Sequence, residues 1–131
     1  MRFRILFISR RSSDARRLSR MLHTLPLELE HTSCLQDARS RLQHEHYDVI
    51  LTEADLPDGR WLDVLHLVRE HPQEVEVIVT DPQADIHFWA EALNLGAYDL
   101  LAQPFYEPEV RRILYNACSR PAYQPLSMTA V

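Results

Sequence analysis

Residues 46–62 read HYDVILTEADLPDGRWL and decide the fold. The apolar residues 49–51 are followed by the turn sequence Leu56-Pro57-Asp58-Gly59, in which proline fixes φ and glycine allows a positive φ. A short apolar run bounded by turn residues is typical of a strand buried on both faces. Residues 59–70 then predict a helix, so Glu53 lies where a central strand ends. Ligands bind at that edge of an open α/β sheet.

The rest of the chain alternates strand-like and helix-like stretches. Strands are predicted over residues 3–8, 27–32, 48–53, 75–80 and 98–102, and helices over residues 12–25, 35–45, 59–70, 81–95 and 107–118. This alternation predicts an α/β fold, a doubly wound parallel sheet of five strands with right-handed crossovers and helices on both faces. The second strand alternates apolar and acidic residues, which indicates an edge strand with one exposed face.

Three helix ends are predicted from capping residues. Ser12 or Ser13 is expected to cap the first helix. Asp81 is expected to cap the fourth helix, with Pro82 at its first position. Gly96 is expected just beyond the end of that helix, where a left-handed conformation is common.

Length and composition indicate one domain. We assign residues 1–119 to it, and residues 120–131, which lack periodicity and contain prolines, to a linker or disordered tail. The two isolated thiols predict neither a disulfide framework nor a metal site. No apolar run reaches about 18 residues, and the first strand is too short for a signal peptide. We therefore expect a cytoplasmic protein without membrane contact. The chain has only two glycines, so it has no Gly-rich phosphate loop.

Charge is segregated along the chain. The chain contains no lysine, so all of its Lys-plus-Arg total is arginine. Residues 1–44 hold nine arginines and four acidic residues, residues 45–109 hold two and fifteen, and residues 110–131 hold three and none. This pattern has two interpretations: solvated helix faces, or a dipolar surface that orients a partner or a second copy of the chain. The net charge of −5 and the lack of a recognition motif argue against nucleic-acid binding.

Three stretches form a pattern at successive strand ends: residues 47–51 with the turn at 56–59, residues 77–80, and residues 96–101 with Pro104-Phe105. In this order they resemble the receiver domain of two-component response regulators. The resemblance covers about residues 3–118. It implies the flavodoxin-like fold with strand order 2-1-3-4-5. It also implies a part in phosphorelay signal transduction, and a domain that is not itself an enzyme.

The resemblance implies where receivers carry their chemistry. An acidic pair after the first strand binds Mg²⁺, an Asp ends the third strand and accepts the phosphoryl group, and a Thr or Ser ends the fourth. An aromatic switch residue lies in the fifth strand, and a Lys precedes the following proline. Here these positions carry, in the same order, Ser9 and Arg10, Glu53, Thr80, Leu100 and Gln103. Only Thr80 keeps the residue type of the family. The resemblance also implies a cis peptide between Gln103 and Pro104.

These residues predict a site with no catalytic residue, no metal and no cofactor. Arg10 places a cation where Mg²⁺ needs oxygen ligands. Glu53 reaches about 1–1.5 Å further than Asp and lacks the metal and lysine that neutralise charge in phosphoryl transfer. Instead we expect a bidentate Arg10–Glu53 ion pair, joined by Asp81 or Arg11, to fill the site. The plainer alternatives are that Glu53 is a solvated loop carboxylate, Thr80 only caps a strand end and Asp81 is only a helix cap.

With the chemistry absent, binding is the expected function. In the family, the face formed by the fourth helix, fifth strand and fifth helix makes dimer and partner contacts. Phe88 and Trp89 are about 100° apart on a helix, so one core stripe cannot hold both. We expect Phe88 to face inward and Trp89 to lie near the surface, close by topology to Tyr106, Arg111 and Arg112. Aromatic residues and arginine are enriched in binding hot spots, so these four residues are the candidate interaction face. The alternative is that Trp89 packs over the edge of its own core.

The sequence therefore predicts a pseudo-receiver, an atypical receiver that acts by phosphorylation-independent protein–protein interaction or as a homodimer. Two alternatives stay open. One is a conventional receiver that is phosphorylated by an unusual route, and the other is a small-ligand sensor on the same fold.

Overall fold

The computed structural model describes residues 2–120. In chain order its strands are β1 (Phe3–Ile8), β2 (Leu27–Thr32), β3 (Val49–Glu53), β4 (Asp55–Leu56), β5 (Gly59–Arg60), β6 (Glu76–Asp81) and β7 (Asp99–Ala102). The helices of this part of the chain are α1 (Ser12–Leu22), α2 (Leu35–His44), α3 (Trp61–Arg69), α4 (Ile86–Leu95) and α5 (Glu107–Ser119).

Five of the strands form one parallel sheet in the order β2-β1-β3-β6-β7. The predicted flavodoxin-like fold and strand order are confirmed. β3 pairs with β1 on one side and β6 on the other, and its first four residues are buried, as expected for a central strand. β2 is an edge strand with a largely half-exposed surface. The short β4 and β5 pair antiparallel in a hairpin just after β3.

Helices cover both faces of the sheet. Ile5 and Phe7 of β1 pack with α1 and α5 on one face, whereas Leu6 and Ile8 pack with α2, α3 and α4 on the other. This division follows from the pleat of a strand, in which successive side chains point to opposite sides. The carboxyl ends of β1, β3, β6 and β7 therefore share one edge between two packed layers.

The predicted start of α4 at Asp81 and Pro82 is wrong. Asp81 is the last residue of β6 and pairs with β7, and its carboxylate accepts a hydrogen bond from the backbone N–H of Gln83 at 3.0 Å. The helix begins at Ile86, and Asp85 caps it by accepting from the backbone N–H of Phe88 at 2.8 Å. Pairing with β7 extends β6 through Asp81, so Asp85 and not Asp81 becomes the N-cap of α4.

Two further local predictions are wrong and one is confirmed. α1 begins at Ser12 after Arg11, with no side-chain cap, so neither serine serves as one. Gly59 does not have a positive φ; it lies in the β4–β5 hairpin, where an added Cβ would lie 2.9 Å from the side chain of Leu35. Gly96 ends α4 with φ 114°, as predicted.

The described residues stop at Arg120, so all but the first residue of the predicted tail lies outside them. The Arg120 guanidinium pairs with Glu76 at 3.1 Å and Glu74 at 3.4 Å, which ties the end of α5 to the start of β6. Within residues 2–120, none of the helices combines the length and apolar character that a membrane span requires.

Candidate functional site

The strand-end site lies at the carboxyl edge of the sheet. β1 is followed by Ser9 and Arg10, β3 ends at Glu53, β6 carries Thr80 beside its end, and β7 is followed by Gln103. A small cavity of about 70 Å³ lies between these ends, lined by Arg10, Arg11, Glu53, Ala54, Asp55, Thr80, Asp81, Pro82 and Gln103. The topology thus brings together four of the positions that the resemblance singled out.

Arg10 contacts Glu53 mainly through its backbone. The Arg10 N–H donates to Glu53 Oε1 at 2.8 Å, whereas the guanidinium Nε lies 3.9 Å from the same oxygen. The Glu53 side chain is 14% exposed and that of Arg10 is 60% exposed. The predicted pair forms, but the expected bidentate geometry is wrong. The amide is free because β1 has ended, and it reaches the carboxylate while the guanidinium stays largely in water.

The pair does not include the two additional residues expected in it. Within the described residues, neither Asp81 nor Arg11 forms an ion pair with Arg10 or Glu53. The Asp81 carboxylate accepts from the backbone N–H of Gln83, and the Arg11 backbone N–H donates to Ser9 Oγ at 3.0 Å. The contact is therefore a local bridge between the ends of β1 and β3.

The hydroxyl of Thr80 is fully buried and turned toward β7. Its Oγ1 donates to the carbonyl of Leu101 at 2.7 Å and accepts from Gln103 Nε2 at 3.1 Å. Gln103 is held next to Thr80 by the turn into Pro104, whose peptide bond is cis as the resemblance implied. Both hydrogen-bonding directions of the hydroxyl are used, so it does not face the cavity as a free donor.

Ser9 and Leu100 contribute structure at this edge. Ser9 is buried, and its hydroxyl accepts from the Arg11 N–H, which fixes the turn out of β1. Leu100 is 8% exposed and packs in the core between the sheet and α4. An aliphatic side chain in this position completes the core and presents no polar group to the surface.

Asp58 is a polar residue at the same edge whose role the sequence did not reveal. Its carboxylate accepts from the backbone N–H groups of Leu35 at 2.8 Å and Gln36 at 2.9 Å. These two hydrogen bonds, of which the one from Leu35 has the larger effect, hold the pKa of the Asp58 carboxyl below its usual range. The loop after β3 therefore caps the start of α2, a contact between residues 23 positions apart.

The side chains of the site do not fit a magnesium ion. Mg²⁺ takes six oxygen ligands in near-octahedral geometry. Here Ser9 Oγ and Glu53 Oε1 already accept backbone N–H groups, and Arg10 brings a positive charge. Asp55 pairs with Arg60 at 3.6 Å. Between Arg2 and Arg120, no group of three or more His, Cys, Asp or Glu side chains is placed to share a metal ion.

A second surface feature is the groove between α4 and α5, which we call the α4–α5 groove. It has a volume of about 560 Å³ and is lined by Ala84, Asp85, Ile86, Trp89, Asp99, Leu100, Ala102, Glu109, Arg112 and Ile113. Trp89 is 43% exposed, and its indole N–H donates to Asp99 at 3.2 Å. Phe88 packs inward against Trp61 with ring centroids 5.8 Å apart, so the predicted division between the two neighbouring aromatics is confirmed.

Of the three residues expected near Trp89, only Arg112 lines the α4–α5 groove with it. Arg111 points to the other side of α5. The Arg111 guanidinium donates to the carbonyl of Met21 at 3.0 Å and to Thr24 at 2.7 Å, so it joins α5 to α1 and the prediction for it is wrong. Tyr106 is 67% exposed just before α5 but is not among the lining residues of the groove.

The strand order and the helices on both faces of the sheet define a flavodoxin-like α/β domain. The chain belongs to the response regulator receiver domain family, whose model matches residues 5–115. Domains of this family are signalling modules of two-component systems and are generally not enzymes.

Known relatives agree with this assignment. The chain is 29% identical over 97 residues to the response regulator protein PilR of Pseudomonas aeruginosa, an alignment that covers 73% of this chain and 22% of PilR. It thus spans about a fifth of the length of that relative. A putative response regulator from Chloroflexus aurantiacus matches with a TM-score of 0.82 and 21% identity, over 92% of this chain and 100% of that one.

A third match concerns a magnesium-bound receiver. The receiver domain of the sensor histidine kinase PA1611 from Pseudomonas aeruginosa, solved with magnesium coordinated in its active-site cleft, matches with a TM-score of 0.75 and 23% identity. The match covers 90% of this chain and 98% of that domain. At this level of identity the likeness shows the shared fold.

Proposed function

We propose that this chain is a pseudo-receiver, a receiver domain whose strand-end site does not take a phosphoryl group. In this proposal it works in signal transduction through phosphorylation-independent contacts with a protein partner or a second copy. The observation that carries the proposal is the contact of Arg10 with Glu53 at the end of the central strand. A carboxylate that already accepts a backbone amide and faces a guanidinium is stabilised without a metal.

The chemistry of phosphoryl transfer supports the same conclusion. The transfer depends on positioning and on neutralising the charge of the phosphoryl group. PA1611 has magnesium in its cleft. At the positions where the family has its acidic pair and its phosphoacceptor, this chain has Ser9, Arg10 and Glu53, of which only Glu53 is a carboxylate. Gln103, at the position where the family has lysine, donates its amide to Thr80 and brings no charge.

The state of Thr80 supports a site that does not switch. Its hydroxyl bridges β6 to the carbonyl of Leu101 in β7, and Gln103 holds it from the second side. A threonine that moved toward a phosphoryl group would have to break both hydrogen bonds, and Leu101 would lose a buried donor. Because an unsatisfied buried polar group costs about 1–3 kcal/mol, the observed arrangement favours one conformation.

The α4–α5 groove is the surface that we propose for partner binding. Receiver domains contact other proteins and can dimerise. Trp89 and Arg112 belong to the residue types that dominate binding energy at interfaces, and both line this groove. Ile86, which is 72% exposed, adds apolar surface beside them. Burial of these side chains by a partner supplies binding without any change at the strand ends.

The direct test is phosphorylation with acetyl phosphate and Mg²⁺, followed by intact-mass measurement. We expect no mass increase in the chain as it stands. The matched variant restores three of the family residues through Arg10→Asp, Glu53→Asp and Gln103→Lys, and we expect it to gain one phosphoryl group. A phosphoryl group on Glu53 of the unaltered chain would contradict the proposal and favour a conventional receiver.

The binding surface is tested by light scattering of Trp89→Ala. Leu95→Ala is the control, because Leu95 is 40% exposed on the same helix and lies outside the groove. In high salt, where contacts between exposed charges are screened, we expect a dimer in the unaltered chain and in Leu95→Ala, and a monomer in Trp89→Ala. Equal masses for all three proteins would contradict a self-contact through Trp89.

A further inference from the structure

The exposed side of α1 carries a row of arginines that we call the arginine face: Arg16, Arg17 and Arg20. Their side chains lie at the surface, while Ala15, Leu18 and Leu22 of the same helix are buried. The ion pairs formed within residues 2–120 involve Arg4, Arg10, Arg41, Arg60 and Arg120, and none of them involves the arginine face.

A surface of opposite charge lies at the carboxyl edge of the sheet, beside α4. Between the β4–β5 hairpin and α4 is an open groove of about 660 Å³, which we call the acidic groove. Its charged lining includes four carboxylates and two arginines, namely Asp55, Asp81, Asp85, Glu91, Arg10 and Arg60. Arg60 is engaged by Asp55 at 3.6 Å, and Glu91 stands exposed on α4.

These two surfaces do not contact each other within residues 2–120. α1 packs with the cluster that contains Ile5 and Phe7, and α4 packs with the cluster that contains Leu6 and Ile8. None of the three arginines of the arginine face lines the acidic groove. Guanidinium groups bind carboxylates in a fixed, forked geometry, and complementary charge brings partners together and fixes their orientation. A second copy of the chain offers the acidic surface that the arginine face lacks in its own molecule.

We propose that the chain associates head to tail, with the arginine face of one copy in the acidic groove of the next. Such a contact joins two different patches of the same chain, so it is heterologous and leaves a free patch at each end. The acidic groove shares only Asp85 with the lining of the α4–α5 groove, and the contact does not require Trp89. The net charge of −5 repels a second copy as well as nucleic acid or an anionic membrane, so the choice of this occupant rests on local complementarity: only the second copy brings the carboxylates of the acidic groove to the arginine face.

The association should weaken with salt, because exposed charges carry it. The Debye length falls from about 30 Å at about 0.01 M ionic strength to about 3 Å at about 1 M. In sedimentation velocity, we expect the mean mass of the full chain to rise with protein concentration at the low ionic strength. At the high ionic strength we expect a single species whose mass does not depend on concentration.

Charge reversal on either surface tests the contact. The triple variant Arg16→Glu, Arg17→Glu, Arg20→Glu changes the arginine face, and the double variant Asp55→Arg, Glu91→Arg changes the acidic groove. We expect each variant alone to associate more than about tenfold less tightly. An equimolar mixture of the two should recover association, because each then meets a complementary surface. Recovery also shows that both variants are folded.

The controls separate this contact from general effects of charge and from the α4–α5 groove. Arg39→Glu and Glu28→Arg reverse exposed charges elsewhere and should leave association unchanged. Trp89→Ala removes the proposed self-contact of the α4–α5 groove, and the salt-dependent part of the association should persist in it at low ionic strength. A mass that does not vary with salt, or a mixture that fails to recover, would overturn the proposal. So would arginine-dependent pelleting of the chain with phosphatidylserine vesicles or duplex DNA when no self-association is seen.

Discussion

The strand-end site and the α4–α5 groove lie on the same molecule and differ in how their polar groups are used. At the strand ends, Glu53 accepts from Arg10, and Thr80 is hydrogen-bonded to both Leu101 and Gln103. In the groove, Trp89 keeps 43% of its surface in contact with solvent and makes one hydrogen bond, to Asp99. The polar groups of the strand-end site are hydrogen-bonded within the chain. The α4–α5 groove leaves apolar surface exposed, which a partner can bury.

This difference agrees with the proposed function, in which the groove and not the strand-end site carries the binding. Contacts within the strand-end site stabilise the domain but leave little there for a ligand to gain. The exposed apolar surface of the groove contributes nothing to folding until something covers it. The following predictions test this difference between the strand-end site and the α4–α5 groove.

The largest expected effect contrasts the two tryptophans of the chain. Trp61 is 1% exposed and packs under α4 against Phe88, so Trp61→Ala should lower the free energy of unfolding by about 3–5 kcal/mol. Trp89→Ala should cost less than about 1 kcal/mol, because its surface is already partly in water. Urea denaturation of both variants provides the measurement. Similar losses would mean that Trp89 belongs to the core and the groove is not a free surface.

The second prediction breaks the hydrogen bonds of Thr80. Thr80→Val keeps the shape but removes the donor to Leu101 and the acceptor for Gln103, and should cost about 1–3 kcal/mol. The control is Thr52→Val, which removes a buried hydroxyl that donates to the carbonyl of Glu53 at 2.9 Å without bridging two strands. Hydrogen exchange should show faster opening of β7 in Thr80→Val only. Equal exchange in the two variants would argue against a bridge that fixes β7.

The third prediction separates charge from hydrogen bonding at Glu53. Glu53→Ala removes the acceptor of the Arg10 amide and should cost about 1–2 kcal/mol. Glu53→Gln keeps an acceptor oxygen and loses the charge, so its cost should be below about 1 kcal/mol. Denaturation in low and high salt measures both. If the glutamine variant lost as much as the alanine variant, the distant guanidinium would matter more than the amide.

The smallest expected effect concerns pH. The pKa of Asp58 is lowered in the folded protein by the amides of Leu35 and Gln36, so its contribution is full above the unfolded value near 3.8. It is lost as pH falls through the folded value. Asp58→Asn should therefore be less stable than the unaltered chain at neutral pH, by less than about 1 kcal/mol because the site is exposed. The gap should close in acid, as measured by thermal melts across pH; a constant gap would contradict the assignment.

The fold was predictable because its signals are local. Apolar runs of strand length and helical stripes such as Ala15, Leu18 and Leu22 define the elements, and their alternation defines a parallel sheet. Helix ends were less predictable. Asp81 and Asp85 can each cap a helix. Asp85 becomes the cap because Asp81 pairs with β7, and the local sequence around the two aspartates does not reveal that pairing.

The site was predictable in its location but not in its contacts. Strand order places Glu53 near Arg10, yet the decisive contact uses a backbone amide, and no residue type signals that in advance. Arg111 was misplaced because a helix position does not say which neighbour its long side chain reaches. Contacts between distant segments, such as Asp58 with the start of α2, depend on the folded geometry alone.

The positions of the two indoles have a practical consequence for spectroscopy. With one tryptophan buried beside Phe88 and the other at the edge of the groove, the intrinsic fluorescence of the chain contains two optical signals from two distinct environments. Replacing either indole by phenylalanine isolates the other. Unfolding is then followed through the emission of Trp61 and partner capture through that of Trp89, without any attached dye.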